Sequence, residues 1–285
     1  MRFAITLTDR YLGIFEAFLN AGWEPVKLFT APVDGRMYHN KASVERAEKL
    51  GIPIQFSRMR EDDLADLQRR RCDALVVASY QWKIGDWERY VPFAVNFHPS
   101  PLPDGRGPYP QVRAILDGHT EWGVTCHKLA PEFDTGDIVA QDRFPLAPDE
   151  CHESLDLKIQ FASRRLAERV ANSFEPLWYV ATPQVDGSYW PLFTDADRTL
   201  DFKRPIADLL RQTRAFGEHE CFATINDTKV YVRRAVGWQE PHRFAPGHLV
   251  LSTTMRLVVA AADGFIGLLE WSVVAPDVPM GKIGR

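Results

Sequence analysis

The chain contains Phe93-Ala94-Val95-Asn96-Phe97-His98-Pro99, an apolar stretch that ends on two polar side chains and a proline. Asn96 and His98 are two positions apart, and alternate residues of a β-strand point to the same face of its sheet. Pro99 ends the strand, because proline offers no N–H donor and restricts the residue before it. Open α/β folds build their sites where strands end. The stretch therefore predicts a site at the carboxyl end of a buried strand.

A carboxylate can reach this site from a second segment, residues 132–138. The segment carries three acids, Glu132, Asp134 and Asp137, any of which could simply be solvated. A carboxylate beside a histidine orients the ring and raises its basicity. The two segments together predict a polar site without yet specifying a reaction.

The length of 285 residues allows one large domain, or a domain of about 180 residues with a smaller one. A hydrophobic content of 45% and a charged content of 25% are typical of a soluble globular protein. The net charge of −4 gives no overall attraction to phosphate backbones. Composition therefore argues against nucleic acid as the main partner.

The four cysteines are scattered without a CxxC spacing, so neither a disulfide framework nor a zinc site is expected. Cys126-His127 and Cys151-His152 are adjacent pairs, and neighbours in an extended segment point to opposite faces. The apolar run at the N-terminus is too short for a signal peptide, and no segment approaches membrane-spanning length. We expect a cytoplasmic enzyme that has no membrane partner and needs no metal.

The first 145 residues alternate strand-like and helix-like patterns, which favours a mostly parallel sheet with crossover helices. Ser43 is expected to be the N-cap of the second helix. The predicted strands are residues 2–7, 23–30, 52–56, 74–79, 93–98, 123–129 and 138–144, with a turn at 32–35 and helices at 11–21, 43–50, 61–71 and 110–116.

The pattern changes in the second half of the chain. One long helix is predicted from residue 151 to about residue 174, ending before Pro176. A proline-punctuated linker with a helix at 206–216 follows. Five short strands are then expected at residues 222–226, 228–235, 248–252, 257–261 and 265–271. Their spacing indicates a small β-barrel or sandwich, with domains at 1–200 and 201–285.

The motif as a whole resembles that of the formyltransferases that use 10-formyltetrahydrofolate. The residues that carry the resemblance are Asn96, His98, Ser100, Leu102, Pro103, Arg106, Gly107, Pro110, Asp134, Gly136, Asp137 and Ile138. Residues 79–84 look like the pterin-side loop of that family, although Trp82 and Lys83 depart from its usual glycine and isoleucine. The C-terminal strands are similar to the OB-like domain of methionyl-tRNA formyltransferases.

This resemblance implies a Rossmann-like α/β catalytic domain with a smaller OB-like β domain, and 10-formyltetrahydrofolate as co-substrate. It implies that the catalytic residues are Asn96, His98 and Asp134. The order Asp-Thr-Gly-Asp favours Asp134 as the catalyst, with Asp137 expected to cap or orient the loop. The cofactor-binding residues expected on the same basis are Ser79, Tyr80, Gln81, Trp82, Lys83, Ile84, Glu132, Phe133 and Asp137. Those expected to bind the acceptor are Asp9, Ser100, Arg106, Gly107 and Tyr109.

Several of these residues have simpler interpretations. Ser100 can be a local backbone hydrogen-bonder, since no G-x-S-x-G elbow surrounds it. Arg106 can either order its loop or meet the acceptor. Asp9 can pair with the ammonium group of an amino-acid acceptor, or it can be a solvated loop acid.

Three acceptors remain open: methionyl-tRNA, an amino-sugar nucleotide, and a small amine such as hydroxyornithine. Residues 31–41 contain only Arg36 and Lys41 as basic residues, where the tRNA enzymes of the family carry a basic insertion. The turn at residues 7–13 lacks a glycine-rich phosphate loop. We therefore expect a small-molecule acceptor such as an amino-sugar nucleotide or hydroxyornithine, with methionyl-tRNA as the alternative. A 10-formyltetrahydrofolate hydrolase, a non-catalytic folate-binding module and a homodimer also remain open.

Overall fold

A computed structural model of the chain describes residues 1–33 and 39–275, so part of the turn predicted at 32–35 and Arg36 lie outside the described residues. Its centre is a seven-stranded sheet in the order β3-β2-β1-β4-β5-β6-β7. The first five strands in this order are parallel, and β6 and β7 are antiparallel, which confirms the mostly parallel sheet. The strands are β1 (Arg2–Thr6), β2 (Glu24–Phe29), β3 (Ile54–Gln55), β4 (Ala74–Val77), β5 (Phe93–His98), β6 (Glu121–Lys128) and β7 (Ile138–Pro145).

The helices depart from the sequence-based expectations at two points. The second helix begins at Lys41, so Ser43 lies inside it and is not its N-cap. The predicted long helix ends at Asn172, and Pro176 lies in the first turn of a separate short helix, where its missing N–H costs no helical hydrogen bond. The helices are α1 (Leu12–Asn20), α2 (Lys41–Lys49), α3 (Glu61–Arg69), α4 (Pro110–Leu116), α5 (His152–Asn172), α6 (Phe174–Tyr179), α7 (Asp195–Arg198) and α8 (Ile206–Phe216). Within the described ranges, no helix combines the length and the apolar composition needed to cross a bilayer.

Strand β5 is buried on both faces, and this burial determines where its polar side chains point. Val95 and Phe97 belong to the larger core cluster, with α1 and α5, whereas Ala94 belongs to the cluster on the opposite face, with α3. Because side chains alternate along a strand, Asn96 and His98 share the face of Ala94. Both emerge where the strand ends, next to the ends of β4 and β6.

The C-terminal part forms one five-stranded antiparallel sheet in the order β10-β11-β12-β9-β8. A single sheet agrees with the barrel-like expectation and not with a two-sheet sandwich. Helix α8 packs against β9 and also against α4 and α5, and the boundary near residue 200 stays a prediction. The strands are β8 (Cys221–Ile225), β9 (Thr228–Gln239), β10 (Leu249–Ser252), β11 (Leu257–Ala260) and β12 (Gly264–Ser272).

Candidate functional site

The structure brings Asn96, His98 and Asp134 into contact at the carboxyl end of β5. Asp134 lies in the loop between β6 and β7, which folds back over this strand end. Its Oδ1 is 3.3 Å from His98 Nδ1 and 3.4 Å from Asn96 Nδ2. The side chains of His98 and Asp134 are 7% and 11% exposed, so their interaction is little screened by water.

A fourth polar residue of this cluster, His127, was not predicted. Strand β6 runs antiparallel to β5 and sets His127 opposite Asn96. Its Nδ1–H donates to the Lys128 carbonyl at 2.7 Å, which leaves Nε2 to accept the Asn96 amide at 3.0 Å. Nε2 also lies 3.6 Å from Asp134 Oδ1. The signal in the sequence is a histidine near the end of a predicted strand, close before the Asp134 loop.

The backbone around Asp134 holds its carboxylate in place. Asp134 has a left-handed φ of 60°, which an aspartate tolerates better than most residues. Its Oδ2 accepts the Gly107 N–H at 3.0 Å. Gln184 donates to the carbonyls of Asp134 and Gly136 at 2.9 and 2.7 Å. The loop is thus held both through the Asp134 side chain and through its backbone carbonyls.

Changing Gly136 to alanine is expected to displace this loop, because the added Cβ would overlap the Lys128 carbonyl oxygen. A shift of about 1 Å at a catalytic group can cost about 10²-fold in rate, so we expect a loss of that size in kcat/KM. Steady-state kinetics of the folded variant measure it. Gly85→Ala is the matched control, since a Cβ at Gly85 meets nothing within 4 Å. Equal kinetics of the two variants would contradict this account of the loop.

His98 is prepared to take up a proton. Burial lowers the pKa of His98, although Asp134 and the Gly105 carbonyl act in the opposite direction. Nε2 lies 2.8 Å from the Gly105 carbonyl oxygen, so it carries the hydrogen and donates it. Nδ1 then presents a lone pair beside the Asp134 carboxylate. A neutral ring leaves this side unsatisfied, and a proton on Nδ1 would satisfy it.

Asp134 supplies the fixed negative charge of the site. Burial by itself would raise the pKa of Asp134, but His98, His127 and the Gly107 N–H outweigh it and hold this pKa below its usual range. The carboxylate is therefore ionised, and it stabilises a positive charge that forms on His98. The cluster can accept a proton and can orient a reacting carbonyl group.

These side chains lie in a cleft of about 520 Å³, a volume within the usual range of small-molecule sites. The cleft brings together most of the residues expected to bind cofactor or acceptor. Those that line it are Ser79, Tyr80, Gln81, Trp82, Lys83, Ile84, Glu132 and Phe133 from the cofactor set, and Gly107 and Tyr109 from the acceptor set.

Two predicted binding acids lie outside the lining of the cleft. Asp9 accepts the backbone N–H groups of Ala42 and Ser43 at 3.1 and 2.8 Å, so it binds the N-terminus of α2. Asp137 pairs with Lys128 Nζ at 3.1 Å. These placements do not support the predicted contacts of Asp9 with an acceptor and of Asp137 with a cofactor.

Ser100 and Arg106 also lie outside the lining. Ser100 is fully buried and its hydroxyl donates to the Asp104 carbonyl at 2.8 Å, the local role that was the alternative. Arg106 donates to Gln184 Oε1 at 3.0 Å and to the Asp186 carbonyl at 2.8 Å. Arg106 therefore orders the segment that supports Asp134, and this geometry does not support its predicted contact with the acceptor.

The cleft also includes residues that were not predicted. Tyr189 reaches it from the linker, where its backbone pairs with that of Arg106. Such an isolated bridge has no signal in the sequence. The others are Arg10, Tyr11, Arg58, Val77, Phe97, Pro99, Pro108, Pro110, Gln111, Leu129, Ala130 and Pro131. In residues 1–33 and 39–275, no group of three or more His, Cys, Asp or Glu side chains could hold a metal ion.

Comparison with solved structures identifies proteins of the same fold. The N-formyltransferase from Helicobacter canadensis, in complex with folinic acid and dTDP-3-aminofucose, superposes with a TM-score of 0.71 at 17% identity, over 95% of this chain and 99% of that chain. HypX from Aquifex aeolicus, in complex with tetrahydrofolic acid, superposes with a TM-score of 0.65 at 19% identity, over 94% of this chain and 43% of that chain.

Sequence comparison gives a closer relationship. The family described as Formyl transferase matches residues 34–170, and the one described as Formyl transferase, C-terminal domain, matches residues 193–273. The methionyl-tRNA formyltransferase of Coprothermobacter proteolyticus is 31% identical over 230 residues, which are 79% of this chain and 75% of that protein. With both domains matched and the polar cluster of β5 at its centre, this chain belongs to the formyltransferase family.

Proposed function

We propose that this formyltransferase moves the formyl group of 10-formyltetrahydrofolate to the amine nitrogen of a small-molecule acceptor, with Asn96, His98 and Asp134 as catalytic residues. The observation that carries the proposal is the contact of these three side chains in one cleft. Family membership supports formyl transfer. The folates named in the two solved structures support the donor.

The first step forms a bond between the acceptor nitrogen and the formyl carbon. The carbonyl π electrons move to oxygen, and an oxyanion develops. The Asn96 amide donates to His127 at 3.0 Å and to Asp134 at a longer 3.4 Å. An oxyanion can replace Asp134 as the acceptor of the longer hydrogen bond, because a long hydrogen bond is weaker than a short one. Losing such a donor typically costs about 10²- to 10³-fold in rate.

The second step moves a proton. The nitrogen that attacks becomes positively charged and gives its proton to His98 Nδ1, while Asp134 stabilises the imidazolium. The oxyanion then collapses, the bond from the formyl carbon to the folate nitrogen breaks, and that nitrogen takes up the proton from His98. The histidine returns to its neutral form, so the residues finish as they began.

The walls of the cleft suit a flat heteroaromatic donor. The segment from Ser79 to Ile84 forms one wall, and Leu129 to Phe133 forms another. The two are joined by an ion pair between Lys83 and Glu132, at 3.4 Å. Aromatic and apolar side chains with a few polar groups are the usual lining for such a ring.

A small acceptor is favoured because two arginines of the C-terminal sheet already have acidic partners. Arg233 pairs with Glu218 at 3.2 Å, and Arg234 pairs with Glu270 at 3.1 Å. A protein that neutralises several tRNA phosphates needs free cations on that surface. Methionyl-tRNA remains the second candidate, because the relative that shows the family is a methionyl-tRNA formyltransferase.

The release of tetrahydrofolate from 10-formyltetrahydrofolate tests this proposal. We expect turnover with small amines and at least about 10²-fold lower kcat/KM with methionyl-tRNA at ordinary salt, since a weak basic footprint gives little phosphate affinity. Formylation of methionyl-tRNA alone would reverse the ranking of acceptors. Formate release without any acceptor would identify a hydrolase, and binding without release would identify a non-catalytic module.

A further inference from the structure

Two polar side chains of the cleft have unused hydrogen-bonding capacity. Among the described residues, Arg10 Nε and Gln111 Oε1 are buried and have no hydrogen-bond partner. Gln111 is 1% exposed, and the side chain of Arg10 is 15% exposed. Both residues line the same cleft as His98. Buried polar groups are normally paired, so unpaired ones on side chains that line a cleft favour a ligand there.

Arg10 is held in a fixed position. It lies in the short 3-10 helix Asp9–Tyr11 that comes after β1, and it forms an ion pair with Asp156 of α5. Its guanidinium carbon lies 5.2 Å from the centre of the Tyr11 ring. A guanidinium is a planar fork of donors that matches a carboxylate with two parallel hydrogen bonds. Asp156 uses part of this fork, and Nε is left without a partner.

Neither residue belongs to the two proposed folate walls, residues 79–84 and 129–133. Gln111 comes two residues after Tyr109, whose ring contacts the ring of His219 at 5.2 Å between centroids. His219 in turn contacts His152, and the charge of Arg10 acts on His152. Arg10 and Gln111 therefore belong to one neighbourhood around Tyr109.

We propose that Arg10 and Gln111 select the acceptor, and that the acceptor is an amine that also carries a carboxylate, bound by Arg10. The inference rests on the proposed function and names its substrate class. Gln111 Oε1 accepts an N–H group next to that carboxylate, as an α-amino acid offers. Arg10 is a positioning residue for the acceptor, because it does not touch the atoms that react.

The charges favour a carboxylate over a diphosphate. Asp156 already offsets part of the positive charge of Arg10, so the pair can stabilise a single carboxylate better than a diphosphate, which carries more negative charge. The other cations of the cleft lie on the folate side: Lys83 pairs with Glu132, and Arg58 acts on Tyr80. Among the described residues that line the cleft, no cluster of cations is present to bind the diphosphate of a sugar nucleotide.

The test compares amines with and without a carboxylate: L-ornithine and L-lysine against putrescine and cadaverine, with 10-formyltetrahydrofolate as donor. A hydrogen bond to a charged group predicts a preference of about 10- to 100-fold in kcat/KM for the amino acids, mainly through KM. Arg10→Gln should remove most of this preference, while kcat/KM for the diamines changes little. Equal values for both classes in the wild type, or an equal loss for both in the variant, would overturn the proposal.

Two further variants keep the test decisive. Gln111→Ala should also reduce the preference for amino acids. Because it leaves the ion pair of Arg10 and Asp156 intact, it can replace Arg10→Gln if that variant fails to fold. Arg165→Gln is the control. Arg165 lies in α5 and also forms an ion pair with an aspartate, Asp142, but it is outside the lining of the cleft.

Calorimetry separates this inference from the proposed function. The protein is first saturated with folinic acid, and L-ornithine or putrescine is then added. Tighter binding of ornithine without any turnover would contradict formyl transfer to small amines and support the Arg10 site. Turnover without a preference would contradict the Arg10 site alone.

Discussion

Replacing His98 with glutamine is expected to lower kcat by about 10²- to 10⁴-fold, the usual contribution of a positioned general base. Glutamine retains a donor for the Gly105 carbonyl but cannot take up the proton that Nδ1 accepts. Because the imidazole is buried and neutral, folate and acceptor should bind almost as in the wild type. Tetrahydrofolate release gives kcat, and a folinic acid titration gives the binding constant.

The matched control for this substitution is His119→Gln. His119 is exposed, follows α4, and packs against Trp122 with ring centroids 5.4 Å apart, outside the cleft. It should retain the wild-type kcat. A His98→Gln enzyme with near-wild-type kcat would remove His98 from the mechanism, and a matching loss of folinic acid binding would show a structural role instead.

Replacing Asp134 with asparagine is expected to lower kcat by about 10³-fold, since the imidazolium then forms without its carboxylate partner. The pH profile provides a second readout. Burial lowers the pKa of His98 and Asp134 opposes that shift, so the wild-type kcat/KM should hold at neutral pH and fall only below the ordinary histidine pKa of about 6.5. Without the carboxylate this pKa falls further, and the acid limb should move to lower pH.

Asp142→Asn controls for the loss of one negative charge. Asp142 is partly buried and pairs with Arg165, and it does not line the cleft. Its pH profile should match the wild type. An acid limb that stays in place in Asp134→Asn, or moves to higher pH, would show that the carboxylate does not act through His98.

Local pattern was enough to predict much of the fold. Strand β5, helix α4 and helix α8 have the expected bounds, because a short apolar run before a proline, a proline at the first helical turn and a strongly amphipathic segment are each local signals. The meeting of Asn96, His98 and Asp134 was expected from the end of β5 and from the family resemblance.

Other parts of the site depend on long-range pairing, which a sequence does not display. His127 joins the cluster only because β6 is antiparallel to β5 in one register. Arg10 and Tyr189 enter the cleft from segments far apart in the chain. Asp9 was expected near an acceptor, but the N-terminus of α2 attracts its carboxylate, as helix dipoles do.

A double-mutant cycle of His98→Gln and Asp134→Asn tests most directly the claim that these residues form one catalytic unit. When two residues act as a unit, removing one of them already causes most of the loss in rate, and removing the second adds little. We predict that the double variant keeps a kcat within about threefold of the lower single variant, because the carboxylate has no imidazolium left to stabilise. Losses that multiply in the double variant would mean that His98 and Asp134 act independently and would contradict the account.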